Sequence, residues 1–351
     1  MTEELTIKGR IIALVIGLIV LVLLSEGILR IAMPHWREFH SGRFLKPILL
    51  PGHSNLTIGK PGFDGYFAEN NGDFRAHISI NNFGLRNPEP VTAANNRIWV
   101  IGDSMTFGWG VEQNEMYSSV FAQLSNYPTY NIASPGTDVC GYQTLLNRMP
   151  DNLKPRAVIV GLILENDIYH YDCKGQAELH WAAPKEQKQE AWSILRIKRF
   201  LSKHAALYNF SAIALKRVNF IREALISVGL VNRSHRYRVG ITEDKLKQSL
   251  DRTTAELKKL RAMLSPDIPF VVLLVPGRFE IINRDSFYRK IRQGMLKKLR
   301  GQNISAVDLF SRFMKLDFFD THFAHDGHWS KKGHALAAEA LAEWFKKRGP
   351  L

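Results

Sequence analysis

The sequence predicts a three-layer α/β/α domain on a five-stranded parallel sheet, preceded by a membrane-spanning helix and interrupted by a helical insertion. Three observations carry that prediction. Five short, continuous apolar runs follow one another from residue 97 onward with helical stretches between them. An unbroken apolar run, Ile11 to Leu24, stands near the start of the chain. About a hundred residues separate the third and fourth of the short runs, far more than one crossover requires. The 351 residues are 45% hydrophobic and 23% charged, which suffices for one large domain with attachments.

Residues 1–10 read as a cytoplasmic tail. The run IIALVIGLIVLVLL continues as SEGILRIAM, in which only Glu26 and Arg30 are charged. The acid precedes the base by four residues, so on a helix the two pair and reach the interface together. Fourteen residues fall short of the roughly 20 that a bilayer requires, and extension to Ala32 suffices. Residues 11–32 therefore read as a transmembrane signal anchor. A secretory signal peptide is the alternative, but no small-x-small cleavage site follows the run. Lys8 and Arg10 precede the span while Arg30, Arg37 and Arg43 follow it, so basic residues do not fix its orientation. The short leading tail favours a single-pass inner-membrane protein with its large domain on the periplasmic or extracellular side. Residues 33–96 are rich in Gly, Pro and Asn and read as a linker with a small β-hairpin or lid, Asn71-Gly72 lying between YFAEN and FRAHISI.

The five runs are RIWVIG (97–102), TYNIAS (129–134), AVIVGLI (157–163), FVVLLV (270–275) and ISAVDLF (304–310). Continuous β-branched runs of this length suit strands buried on both faces, hence a parallel sheet covered by helices. The closing GHALAAEALAEWFKKRG reads as a helix with basic residues in its last turn and Gly349 near its stop. The architecture is flavodoxin-like, and such sheets bind ligands beyond the carboxyl ends of their strands. The main domain spans 97–348, with an insertion at about 174–265.

Lys and Arg total 47 against 33 acids, a net charge of +14 that favours an anionic partner. No CxxC, zinc-knuckle or P-loop spacing is present, so nucleic acid is not the expected partner. Much of the charge falls between Ala191 and Gly240, where Glu223 is the single acid against a series of Lys and Arg from Arg196 to Arg238. Interleaved Ile, Leu, Phe and Tyr suggest amphipathic helices on an anionic membrane surface, or else a solvated cap. Leu246, Leu250, Leu257, Leu260 and Leu264 then recur at helical spacing as a core-packing face. Cys140 and Cys173 are too few for a disulfide-built scaffold, and either one bond or two buried thiols fit.

The strand ends carry the chemistry. Gly102-Asp103-Ser104 breaks the first run and opens a helix whose free backbone N–H groups suit an oxyanion. A serine hydroxyl requires a base within reach, and the base an orienting acid. SPGTD follows the second run, where Gly136 lets the backbone approach a substrate oxygen. LENDIYHY follows the third, where the Asn166 amide donates to the same oxygen. FFDTHFAHDGHWSKKGH follows the fifth, with His328 as base and Asp326 two residues before it. Other readings exist: Ser104 as a helix N-cap, a phosphate loop at the same turn, or zinc held by His322, His325, Asp326, His328 and His334. Asp103 and Asp167 suit structural acceptors, and Trp109 and Tyr169 suit either the mouth or the core.

Over residues 97 to 345 these motifs resemble the SGNH hydrolase superfamily, the GDSL esterases and lipases. The resemblance implies Ser104 as nucleophile and oxyanion donor, Gly136 and Asn166 as the other donors, and His328 as catalytic histidine with Asp326 as its acid. Two departures stand out. Leu164 occupies the glycine position of GxND, and Asp326 lies two rather than three residues before His328, where His325 stands. A Ser-His dyad oriented by a backbone carbonyl is the alternative to Asp326. The activity implied is that of a membrane-anchored serine esterase, without metal or organic cofactor, acting on acyl, above all acetyl, esters of a cell-envelope glycan or lipid. An O-acyltransferase for an envelope polysaccharide, a phospholipase, and a non-catalytic envelope binding protein with an esterase-like fold are the other readings.

Overall fold

The structure is a computed structural model and describes residues 7–50, 56–69, 72–169, 171–175, 196–197, 200–217 and 243–349. The chain divides into two compact units. One comprises Met1–His40, Ala68–Asn70 and Pro184–Arg233; the other comprises Ser41–Phe67, Asn71–Ala183 and Ser234–Leu351.

Strands β1 (Leu45–Ile48) and β2 (Leu56–Gly59) pair antiparallel in the larger unit, and β3 (Asp64–Ala68) and β4 (Arg75–Ser79) form a second two-stranded sheet. Asn71 of the expected hairpin turn lies outside the described residues. The main sheet holds β5 (Ile98–Ile101), β6 (Thr129–Asn131), β7 (Ala157–Ile163), β8 (Phe270–Val275) and β9 (Ser305–Asp308) in the order β6-β5-β7-β8-β9, all parallel. This is the flavodoxin-like arrangement that the five runs predict. The third and fourth runs match their strands residue for residue, whereas β6 covers only the first half of TYNIAS.

Every residue of β5, β7 and β8 is buried. Their side chains alternate between two cores, as the period of two demands. Trp99, Ile101, Val158, Val160, Leu162, Val272 and Leu274 pack with Tyr142, Leu145, Leu257, Leu260 and Met295 from helices Val139–Asn147, Glu243–Ala262 and Ser286–Gly301. Ile98, Val100, Ile159, Val271 and Leu273 pack with Tyr117, Phe121, Leu341 and Phe345 from helices Tyr117–Ser125 and Lys331–Arg348. A layer on each face accounts for the unbroken apolar runs. The leucines expected to form a packing face do so: Leu250, Leu257 and Leu260 are buried, and Leu246 and Leu264 lie against the same core.

The smaller unit holds the helix Ile7–Ala32, which has the length and composition to cross a membrane and buries none of its side chains. Helix Ala206–Arg217 packs with it. Most of the basic insertion, including Arg222, Glu223, Arg233, Arg236 and Arg238, lies outside the described residues.

Candidate active site

A parallel sheet delivers the carboxyl end of every strand to one edge, and the residues singled out by their motifs follow those ends. β5 ends at Ile101, and Asp103 caps the short helix Ser104–Phe107, its Oδ1 accepting the Met105 N–H at 3.0 Å. The cap is thus Asp103, and the Ser104 side chain is left for other work. Ser104 Oγ lies 2.8 Å from His328 Nε2, and His328 Nδ1 hydrogen-bonds Asp326 Oδ1. Serine, imidazole and carboxylate stand in one row. Gly327, between the acid and the base, has φ 81°, a left-handed conformation that turns the chain tightly enough for side chains two apart to meet.

The surroundings set the protonation of this row. Burial disfavours the His328 cation, but the Asp326 carboxylate on Nδ1 outweighs it and raises the imidazole above its ordinary 6.5. Burial likewise opposes the Asp326 charge, and the facing His328 holds that carboxyl below its ordinary 3.8 nonetheless. Trp109 stacks on the imidazole at 5.6 Å between centroids and meets Phe67 edge-on at 4.6 Å. It therefore both lines the site and packs into the core. Tyr169 is half-exposed beside Tyr171.

Gly136 follows β6 as an exposed residue between the buried Pro135 and Thr137, with φ 72°, a backbone that disfavours side chains. Two residues earlier Ser134 donates its backbone N–H to the Gly102 carbonyl at 3.0 Å, tying this loop to the Ser104 loop. Asn166 follows β7, and its Nδ2 donates to Asp103 Oδ2 at 3.3 Å. Asp103 and Asp167 are both buried acceptors. Asp167 Oδ2 takes the Ile163 N–H at 2.7 Å and the Tyr142 hydroxyl at 2.9 Å. Burial raises Asp103 to about 6, and burial together with the nearby Asp103 charge raises Asp167 well above the usual carboxylate range.

The histidines of the zinc reading are dispersed. His334 Nδ1 accepts the Tyr117 backbone N–H at 3.2 Å, His322 Nδ1 lies 2.9 Å from Thr321 Oγ1, and His325 Nδ1 lies 2.7 Å from Asp73 Oδ1. Burial pushes both His322 and His334 down to about 3, so they sit neutral in the interior. Among the described residues no three His, Cys, Asp or Glu side chains are grouped to hold a metal.

Asp73 and Arg278, outside the motifs, and Glu165, within the third, surround this row. Asp73, almost entirely buried, accepts the backbone N–H groups of His325 at 2.9 Å and Asp326 at 3.1 Å, fixing the turn that presents the acid. Arg278, just beyond β8, donates Nε and Nη2 to Glu165 Oε2 at 2.9 and 2.8 Å, and its own backbone N–H bonds the same carboxylate. Its guanidinium lies against Gly327, where an added Cβ would stand 2.1 Å from Nη1. The cation thus touches both the Asn166 loop and the His328 turn. No local pattern marks Asp73 or Arg278 in the sequence, and Glu165 stands at the variable position of the third motif.

Cys140 and Cys173 form a disulfide, which settles the choice between a bond and two thiols. Cys140 is four residues beyond Gly136 and Cys173 seven beyond Asn166, so the bond staples these two loops together.

The fold and the site together describe a flavodoxin-like α/β protein with a Ser-His-Asp row at the carboxyl edge of its sheet, and in both respects the chain resembles the SGNH hydrolases. No protein-family model matches the chain, and no curated protein matches it. Solved structures similar to it include a lipase/acylhydrolase from Enterococcus faecalis, with 13% identity over 72% of this chain and 96% of that one and a TM-score of 0.41. A lipolytic protein of the G-D-S-L family from Veillonella parvula is similar at 13% identity, over 72% and 98% of the two chains, with a TM-score of 0.40. A catalytic mutant of an acetylxylan esterase from Geobacillus stearothermophilus is similar at 13% identity, over 71% and 94%, with a TM-score of 0.40.

Proposed function

We propose that the chain is a membrane-anchored serine esterase that removes ester-linked acyl groups, above all acetyl, from a glycan or lipid of the cell envelope. The observation that carries this reading is the Ser104–His328–Asp326 row. His328 Nε2 takes the Ser104 proton as Oγ adds to the ester carbonyl, while Asp326 supports the imidazolium through Nδ1. The negative charge that forms on the carbonyl oxygen is held by the Ser104 and Gly136 backbone N–H groups and by the Asn166 amide. That amide has two hydrogens, and Asp103 engages only one. Collapse breaks the ester C–O bond, and the leaving alkoxide takes the proton from His328. Water, deprotonated by the same imidazole, then releases the acid and restores Ser104.

The disulfide supports an exported domain, since such bonds persist in oxidising compartments. The apolar helix Ile7–Ala32 supports attachment to a membrane. Hydrolysis of p-nitrophenyl acetate by the full chain in detergent, beside Ser104→Ala and His328→Ala, tests the reading. Each variant is expected to lose roughly 10³-fold or more in kcat. A folded parent without turnover, or variants that keep its rate, would overturn it. With acetylated glycan as substrate, free acetate identifies hydrolysis and an acetylated acceptor identifies transfer.

A further inference from the structure

The membrane segment has a polar difficulty that the smaller unit solves. Ile11 to Leu24 spans about 21 Å as a helix, against a hydrocarbon thickness of about 30 Å. Ile11 to Ala32 spans about 33 Å, so a membrane-spanning helix here carries Glu26 and Arg30 into the bilayer boundary. Charged groups at that depth require partners. Glu26 Oε1 accepts from Arg30 Nε at 2.7 Å, and the two carboxylate oxygens accept the backbone N–H groups of Ala206 at 2.9 Å and Leu207 at 2.8 Å. Arg30 Nη2 donates to the His204 carbonyl at 2.7 Å. Both charges of the anchor thus end on the junction between helical residues 200–204 and helix Ala206–Arg217, which fixes that junction at their depth.

The same segment leaves a suitable face uncovered. Arg196, Ile197, Phe200, Lys203 and His204 recur at helical spacing and all are exposed, Ile197 to 61% and Phe200 to 63%. Phe210 on the following helix is 41% exposed. The inner side is occupied otherwise, Asn209 Nδ2 donating to the Ser202 carbonyl at 2.8 Å. Aromatic and aliphatic side chains interleaved with cations suit the headgroup layer, the apolar groups reaching toward the acyl chains and the basic ones among phosphates.

Resting on the reading of Ile7–Ala32 as a membrane span, we propose that residues 196–197 and 200–217 lie on the surface of an anionic bilayer as a second attachment, held at that depth by Glu26 and Arg30. Ile28 and Ile31 of the anchor are likewise exposed. The cations at 196 and 203 select phosphate-bearing headgroups.

The test uses the full chain in vesicles of phosphatidylglycerol and phosphatidylethanolamine. Both native cysteines are paired, so a nitroxide can be placed on Leu18→Cys, Phe200→Cys or Phe210→Cys one at a time. Accessibility to oxygen against a water-soluble nickel chelate reads the depth. Oxygen preference is expected at all three positions, and Glu26→Ala should abolish it at 200 and 210 while leaving it at 18. Arg196→Gln with Lys203→Gln should reduce it at 200. Oxygen preference at 18 with nickel preference at 200 and 210 overturns the proposal and leaves the span intact. Nickel preference at 18 overturns the span and the proposal with it.

Discussion

Removing the disulfide should loosen the loops that flank the nucleophile as well as lower stability. Cys140 and Cys173 are 33 residues apart in sequence, and closing a loop of that size withdraws about 12–13 cal/mol/K of chain entropy from the unfolded state on the loop-entropy model. At 25 °C that corresponds to about 3.5–4 kcal/mol, a large share of the 5–15 kcal/mol typical of a domain. The enclosed segment contains helix Val139–Asn147 from Cys140 onward, all of β7 and Asn166. Its two ends lie close behind the two loops assigned to the oxyanion. The perturbation is Cys140→Ala with Cys173→Ala, compared with the parent by urea unfolding in detergent and by ester hydrolysis well below the unfolding midpoint. A midpoint shift equivalent to about 3–4 kcal/mol is expected, together with a fall in kcat that exceeds any change in KM. A loss below about 1 kcal/mol with unchanged kcat would refute the reasoning, since neither the unfolded chain nor the loops would then be constrained by the bond.

Four further outcomes follow from the geometry. Asp326→Asn removes the charge that holds the His328 imidazolium, so kcat should fall by roughly 10²–10⁴ and the acidic limb of kcat/KM should move to lower pH. Arg278→Gln removes a cation that opposes the His328 charge, so the same limb should move to higher pH, while Arg278→Lys should keep it closer to the parent. Gly327→Ala places a side chain at φ 81°, costing about 1–2 kcal/mol by urea unfolding and opening the His328–Asp326 bond, read as lost activity. Asp103 has a folded pKa raised from 3.8 to about 6, so its ionisation costs stability that begins to fall as pH rises past 3.8 and is fully lost above about 6. Asp103→Asn should remove up to about 3 kcal/mol of that slope between pH 4 and 7 in unfolding experiments.

The pH dependence of stability has two opposing parts. His328, raised in the folded state, contributes stability that is complete below 6.5 and lost as pH rises through its folded value. Asp326, lowered in the folded state, contributes above 3.8 and loses its contribution as pH falls through its folded value. The pair therefore supports the fold best between these limits, the range in which Asp103 begins to oppose it.

Much of the sheet is legible in the sequence because β5, β7 and β8 are buried on both faces and read as unbroken apolar runs. The edge strands are less so. β6 has three residues, and the apolar Ile132 and Ala133 that prolong its run serve the loop leading to Gly136. The candidate site is legible in the sequence where chemistry and local spacing coincide, at Ser104 and His328, which meet in the fold, and at Asn166, which bonds Asp103 beside them. Asp73 carries no such mark, for it meets the His328 turn across 252 residues of chain. Arg278 is equally silent, because its partners Glu165 and Gly327 come from two other loops and only the sheet order brings the three together.

The two departures from the family pattern have the same physical origin. Leu164 N–H still donates to the Val275 carbonyl at 3.1 Å, so the backbone continues the strand pairing one residue past β7 before the loop begins. Its side chain is 1% exposed in the core formed by the helices on that face. A glycine there would remove a buried side chain from that core, while Asn166 stays placed by the turn in which its own N–H bonds the Ile163 carbonyl at 3.1 Å and by Glu165, whose carboxylate is fastened to Arg278. At the other motif, one residue fewer between acid and base shortens the reach, and the left-handed Gly327 together with the grip of Asp73 on the preceding N–H groups restores it. In both places the reacting atoms depend on where the backbone ends its regular structure. A pattern written along the chain records that only indirectly, so one substituted position and one altered spacing are compatible with this arrangement of serine, imidazole and carboxylate.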